Sequence, residues 1–444
     1  MKRAIYDDLL KWKGRRSRKP LLLEGVRQCG KTYILKKFGE ENYEDVAYFT
    51  FEKNPGLCNI FRNDLDPARI IHQLGMVRNK KIEPGKTLII FDEIQFCNRA
   101  ITSLKFFCEE APEHHVVCAG SLLGVMLSRP YSFPVGKVNR LRMGPMSFKE
   151  FLLAHSEDML VGHIDSGDPT EPLPSPIADR LNTYLDYYLA VGGMPAAVAS
   201  WIEDGDIGEV EAILGEIIED YEDDFAKHAP EHIEKLTLIW RSIPGQLAKD
   251  NSKFMFSHVR TGARSKDLEG ALEWLIDAGL VYKVKRVDRP VLPLSMSADN
   301  MNFKVYMADV GILRKLAGIP AGFVFGTDKE HDAYRGAAAE NYVLCELVAS
   351  NRDVPCYWRS GGTAEVDFVA QIEGAVVPIE VKAGGNKSKS LYEFIKKHNP
   401  EIAVAVSARS GRTDSISYIP LHSAWKVRDH VLGSVGERRT GGPP

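Results

Sequence analysis

Eight residues, GVRQCGKT at positions 25–32, constrain this chain more than any others. They follow the apolar run PLLLE and precede a helical stretch, which is the strand–loop–helix order of a phosphate-binding P-loop. Gly25 and Gly30 let the backbone of Val26, Arg27, Gln28 and Cys29 curl until successive N–H groups point inward, making an anion nest at a helix N-terminus. Lys31 is expected to reach the β- and γ-phosphates of ATP, and Thr32 to offer its hydroxyl to Mg²⁺. Such a loop needs a parallel α/β sheet behind it.

That sheet is legible up to about residue 150. PLLLE, VAYFTF, TLIIFDE, HVVCAG and VNRLRM alternate with amphipathic stretches, and the first four are near-continuously apolar, as strands buried on both faces must be. TLIIFDEIQ ends in Asp92 and Glu93, at the strand end where open α/β sheets place their ligands. Asp92 is expected to hold Mg²⁺ through water, and Glu93 to orient and polarise the attacking water. HVVCAG runs into Ser121, placed to sense the γ-phosphate or that water.

The remaining chain falls into four further segments. Residues 151–230 read as a helical lid or linker, broken by DSGDPTEPLPSPI and VGGMPAAV. Residues 231–320 read as helix, helix, helix, strand, strand, the order of a winged helix; residues 330–425 return to α/β alternation; and 426–444 read as a flexible tail. Apolar residues make up 44% and charged residues 26%, which excludes a disordered chain. No apolar run approaches a membrane span and the N-terminus lacks the apolar core of a signal peptide, so a cytoplasmic protein with no membrane partner is expected. Seven cysteines without a CxxC pair fit reduced, mostly buried thiols. A net charge of −3 excludes wholesale coating of nucleic acid and confines any DNA contact to a local basic patch.

GVRQCGKT, FDEIQ, CAGSLLG and FPVGKVNRLRMGPMSFKEF together resemble an AAA-type P-loop ATPase family of bacteria and archaea, and the likeness extends through GGMPAAV, FKVYMADVGIL and GAAAENYVLCEL. The resemblance implies an α/β multidomain protein: a P-loop parallel-sheet ATPase core, a helical segment, a winged helix and a C-terminal α/β module that looks like the PD-(D/E)XK nuclease fold. AAA enzymes complete their site with an arginine from a neighbouring subunit, so a second copy of the chain is an expected partner. Where relatives commonly carry that arginine this chain has Lys137, with Arg129, Arg140 and Arg142 nearby, and GGMPAAV offers no sensor arginine.

EVDFVAQIEGAVVPIEVKAG, residues 365–384, bears on the nuclease question. Glu380 and Lys382 stand two apart in a strand and so share a face, while Asp367 lies in the preceding run. A PD-(D/E)XK site needs such carboxylates to bind Mg²⁺ or Mn²⁺ and a lysine to position water, with Glu340 as the helical helper. The same residues also make an ordinary hairpin with one ion pair. In the winged-helix segment Arg260, Arg264, Lys266, Lys283, Lys285 and Arg286 offer phosphate contacts, but Asp267, Glu269, Glu273 and Asp277 oppose entry into a DNA groove. Three readings therefore stand open: an ATPase coupled to metal-dependent phosphodiester cleavage, an ATP-dependent switch or scaffold with an inert C-terminal module, and a module that grips nucleic acid without cutting it.

Overall fold

The computed structural model describes residues 1–120, 134–249, 252–323, 332–382 and 388–440, and its strands fall into two sheets. Two units pack separately: residues 1–144 with 277–279, and residues 145–276 with 280–444. Ser121 and Arg129 lie outside the described residues.

The first unit opens with α1 (Ile5–Lys13), β1 (Leu21–Gly25), α2 (Lys31–Asn42) and β2 (Asp45–Thr50). It continues through α3 (Pro67–Val77), β3 (Thr87–Asp92), α4 (Asn98–Glu110), β4 (His115–Gly120) and β5 (Asn139–Met143). All strand pairs are parallel, in the order β2–β3–β4–β1–β5. Every residue of β3 and β4 is buried, because helices cover both faces of a parallel sheet. The edge strand β2 buries only Ala47 and Phe49, at alternate positions, and β5 only Met143, so their runs read as mixed. Phe51, Phe61, Phe91 and Phe107 stack edge-to-face or tilted at centroid distances of 5.7–6.3 Å and fill one side of the sheet. The chain leaving β1 passes β4 and β3 before it forms β2, so the loop after β1 lies where the strand order reverses.

The second unit begins with five helices: α5 (Phe148–Ala154), α6 (Asp158–Ser166), α7 (Ser175–Val191), α8 (Pro195–Asp204) and α9 (Ile207–His228). VGGMP separates α7 from α8. Its backbone packs so closely that a Cβ on Gly193 would lie 2.1 Å from the Met146 carbonyl oxygen, and one on Gly192 2.4 Å from Asp309 Oδ1. Next come α10 (Ile233–Leu247), a helical turn at Phe256–Val259, and α11 (Ser265–Asp277) with Leu268, Ala271, Leu272, Trp274 and Leu275 buried. β6 (Val281–Val287), β7 (Ala298–Met307) and α12 (Val310–Leu316) follow.

The strands expected to form a wing do not stand apart. They join an eight-stranded sheet in the order β12–β13–β11–β10–β9–β8–β6–β7. Its other members are β8 (Cys356–Arg359), β9 (Glu365–Ile372), β10 (Ala375–Val381), β11 (Val404–Ser407), β12 (Gly411–Arg412) and β13 (Ser417–Pro420). The seam is short and parallel: Arg286 and Val287 of β6 pair with Tyr357 and Trp358 of β8. Packed about this sheet are α13 (Asp332–Asn351), α14 (Lys389–His398) and α15 (Val427–Thr440). Trp358, Val366, Val369, Leu391 and Phe394 belong to the buried core on one face. Among the described residues no helix is long and apolar enough to cross a membrane.

Candidate functional site

The P-loop takes its shape from two left-handed residues. Gly30 has φ 93°, which admits an L side chain only at a cost, and Gln28 has φ 64°. Gly25 is fixed by proximity instead, since a Cβ there would lie 2.0 Å from the Met143 carbonyl oxygen of β5. The buried Lys31 ammonium sits within the curl and donates to the Gly25 and Val26 carbonyls at 2.9 and 2.7 Å. From the chain's start, the buried Arg3 donates to the Cys29 and Gly144 carbonyls at 2.8 and 2.7 Å and ties the loop to the end of β5.

Across the sheet, the Asp92 carboxylate ends β3 and accepts from the Thr32 hydroxyl at 2.9 and 3.1 Å. The loop helix and β3 thus bring two hard oxygen donors together at the mouth of the nest, the chemistry that suits Mg²⁺. Tyr48 of β2 donates to Asp92 Oδ2 at 2.6 Å, and the Lys36 ammonium lies 3.8 Å from the centre of its ring. Burial and the Asp92 charge push the Tyr48 phenol above its usual range, so it stays a donor. Glu93 follows in a left-handed conformation, φ 50°, and its carboxylate accepts from Gln95 Nε2 at 2.5 Å. A non-glycine residue held at positive φ beside a phosphate loop is backbone strain of the kind that accompanies function.

In the second unit Glu380 and Lys382 do share a face and meet at 2.8 Å. Asp367 Oδ2 accepts the Val381 N–H at 2.7 Å, where the β9–β10 ladder ends. Glu340 of α13 accepts from the Tyr306 hydroxyl at 3.0 Å. A cation from a distant segment lies among them: Lys304 of β7, 1% exposed, lies 2.7 Å from Glu365 and 3.7 Å from Glu340. Burial disfavours its charge, but Tyr306, Glu340, Glu365 and Asp367 outweigh that and hold its pKa above the usual lysine value. Burial first, and Glu340 next, push the Asp367 carboxyl upward. Among the described residues no group of three or more His, Cys, Asp or Glu is placed to hold a metal ion. Glu340, Asp367 and Glu380, the residues expected to ligate Mg²⁺ or Mn²⁺, are paired here with lysines, a hydroxyl and a backbone N–H.

A P-loop whose Thr32 meets the acid at the end of β3, in a parallel sheet of order 2–3–4–1–5, agrees with the family described as AAA domain, which matches residues 17–152. Residues 17–152 are therefore similar to an AAA domain. Two further matches, residues 182–322 and 335–423, are to families described only as domains of unknown function, DUF8612 and DUF4143. No curated protein matches the chain. Three solved structures are similar to it at low identity. PCH-2 of C. elegans is 12% identical with a TM-score of 0.27, over 48% of this chain and 65% of that one. The Aeropyrum pernix ORC1 protein in complex with DNA is 13% identical with a TM-score of 0.28, over 73% and 95%. AMPPCP-bound DnaA from Aquifex aeolicus is 12% identical with a TM-score of 0.27, over 62% and 87%. Superpositions this loose establish no shared function.

The AAA domain's expected trans-acting cations have partners in their own chain. Lys137 pairs with Glu109 at 2.8 Å, while Arg140 and Arg142 lie 3.7 and 3.8 Å from Glu24. Arg142 nevertheless keeps 88% of its side chain exposed. Three of the six cations expected to meet phosphates in the winged-helix segment are likewise paired: Lys283 with Glu273, Arg286 with Asp288 and Asp299, and Arg260 with Glu234. Sequence reasoning missed Tyr48, Arg3 and Lys304. For Tyr48 and Lys304 a signal exists, a polar residue at an alternate position of an apolar strand; Arg3 has none.

Proposed function

We propose that this protein is an ATP-hydrolysing switch, in which the AAA domain turns over ATP and the eight-stranded sheet serves as a binding module that does not cut nucleic acid. The observation that carries the first half is the meeting of Thr32 and Asp92 at the mouth of the P-loop, with Glu93 next in the chain. The loop N–H groups and Lys31 bind the phosphates, and Glu93 orients the attacking water while Gln95 fixes its carboxylate. Thr32 and Asp92 are the residues that would hold Mg²⁺, whose charge offsets that of the phosphates. Tyr48 keeps Asp92 turned toward Thr32. The second half is supported by the lysines paired with Glu340, Glu365 and Glu380. A second copy of the chain is the partner proposed to complete the AAA site.

Lys31→Ala should lose ATP affinity, whereas Glu93→Gln should keep it and lose turnover by about a hundredfold or more. Wild-type turnover in both variants would overturn the first half. Incubation of the whole protein with single-stranded, duplex and branched DNA and with RNA, in Mg²⁺ or Mn²⁺, tests the second half. Cleavage abolished by Asp367→Asn would overturn it.

A further inference from the structure

We propose that Lys304 is the built-in counter-ion of Glu340 and Glu365, beside Asp367, so that an ammonium rather than a divalent cation compensates the charge at this place in the sheet. This deepens the reading of the eight-stranded sheet as a non-cleaving module, and it is read out by metal binding rather than by cleavage.

The ammonium is enclosed. Glu365 of β9 lies 2.7 Å from one side of it and Glu340 of α13 3.7 Å away. The ring of Tyr357 from β8 faces it at 5.3 Å from the centroid, and 2% of its side chain is exposed. Three further contacts surround it. Tyr306 donates to the same Glu340 oxygen that faces Lys304, Val381 N–H donates to Asp367, and Lys382 takes one oxygen of Glu380. Glu380 Oε2 is buried without a hydrogen-bond partner among the described residues.

An ammonium and a divalent cation a few ångströms apart, with little water between them, repel more strongly than a millimolar cation site attracts. The two are therefore alternatives. A lysine is present in every folded molecule, so its charge offsets part of the carboxylates' charge at all metal concentrations. Carboxylates crowded without it would repel one another, and a metal would then relieve them. Lys304 also comes from a different segment than its partners: residues 182–322 match one family and the carboxylates fall within 335–423, which matches another. The first segment plugs the site of the second.

The test uses the whole protein without nucleotide and Mn²⁺ alone as probe, with free Mn²⁺ read by electron paramagnetic resonance. Wild type and Asp367→Asn should give superimposable titrations. Lys304→Gln should gain a Mn²⁺ site at least about tenfold tighter than anything in wild type, and Lys304→Gln/Asp367→Asn should lose it. Thermal unfolding provides a second reading: Mn²⁺ should raise the Tm of Lys304→Gln and leave that of wild type unchanged. If Lys304→Gln does not fold, Lys304→Met, which keeps the length of the side chain without its charge, takes its place. A wild-type Mn²⁺ site that disappears in Asp367→Asn overturns the proposal, and so does a folded Lys304 variant that gains no site.

Discussion

Tyr48 shows how one residue of an edge strand can matter to chemistry two elements away. Its hydroxyl is one of two that hold the Asp92 carboxylate, the other being that of Thr32. Tyr48→Phe removes a hydrogen bond to a charged group, an interaction whose loss costs about tenfold in rate when the carboxylate must be positioned. ATP affinity should stay within about twofold, and the Mg²⁺ concentration for half-maximal turnover should rise; unchanged turnover would leave Tyr48 a merely structural residue. A second buried group governs stability. Glu346 accepts the Phe148 N–H at 2.7 Å and pairs with no cation among the described residues, and burial pushes its pKa up to about 8, with Glu150 adding to the shift. The folded state therefore keeps a proton that the unfolded chain releases near pH 4.5, so this group's contribution falls as pH rises from there to about 8. Glu346→Gln should flatten that loss, by at most about 1.4 kcal/mol per pH unit, in urea unfolding at pH 5, 6, 7 and 8. The places of Lys31, Asp92 and Glu93, at the end of a loop and of a strand, are legible because each is set by the run of residues beside it. Tyr48, Arg3 and Lys304 were not, because each finds its partner in a distant segment.

At the level of elements, the buried strands β1, β3 and β4 show as apolar runs because both faces are covered, and no competing period disguises them. The segment 231–320 reads differently in sequence and in space. Its helices and two strands occur in the expected order, but β6 pairs with β8, and nothing in a strand's own residues announces a partner tens of residues away. The bend between α7 and α8 has an equally long reach. Gly193 donates to Asp309 Oδ2 at 2.6 Å and its carbonyl accepts the Met146 N–H at 2.7 Å, so three segments meet with no room for a methyl group. Gly193→Ala should destabilise the second unit by roughly 3 kcal/mol or more, because the clash is with backbone rather than with a side chain that could turn aside. Chemical denaturation followed by tryptophan fluorescence measures it; a loss within about 0.5 kcal/mol would show that the close approach relaxes freely.

For the molecule as a whole, the exposed Arg142 is the strongest of the cations proposed to serve a neighbouring copy, since its pairing with Glu24 is long and solvent-facing. ATP turnover per chain should therefore climb with protein concentration, and Arg142→Ala should abolish the climb while sparing nucleotide affinity. Turnover per chain that stays constant over a hundredfold dilution, about the range in which weak self-association appears, argues that each copy works alone. The short β6–β8 seam carries a different kind of consequence. A fragment cut at about residue 330 would strip β6 from β8, bare a strand edge and leave Glu340, Glu365 and Asp367 without Lys304. It should aggregate, and whatever remains in solution should gain a metal site at these carboxylates, so activity measured on such a piece would be a property of the cut. The same seam bears on inheritance. Shuffling that delivered the carboxylates without the lysine would create an unbalanced site in the recipient, so the two segments are expected to travel through evolution as one piece.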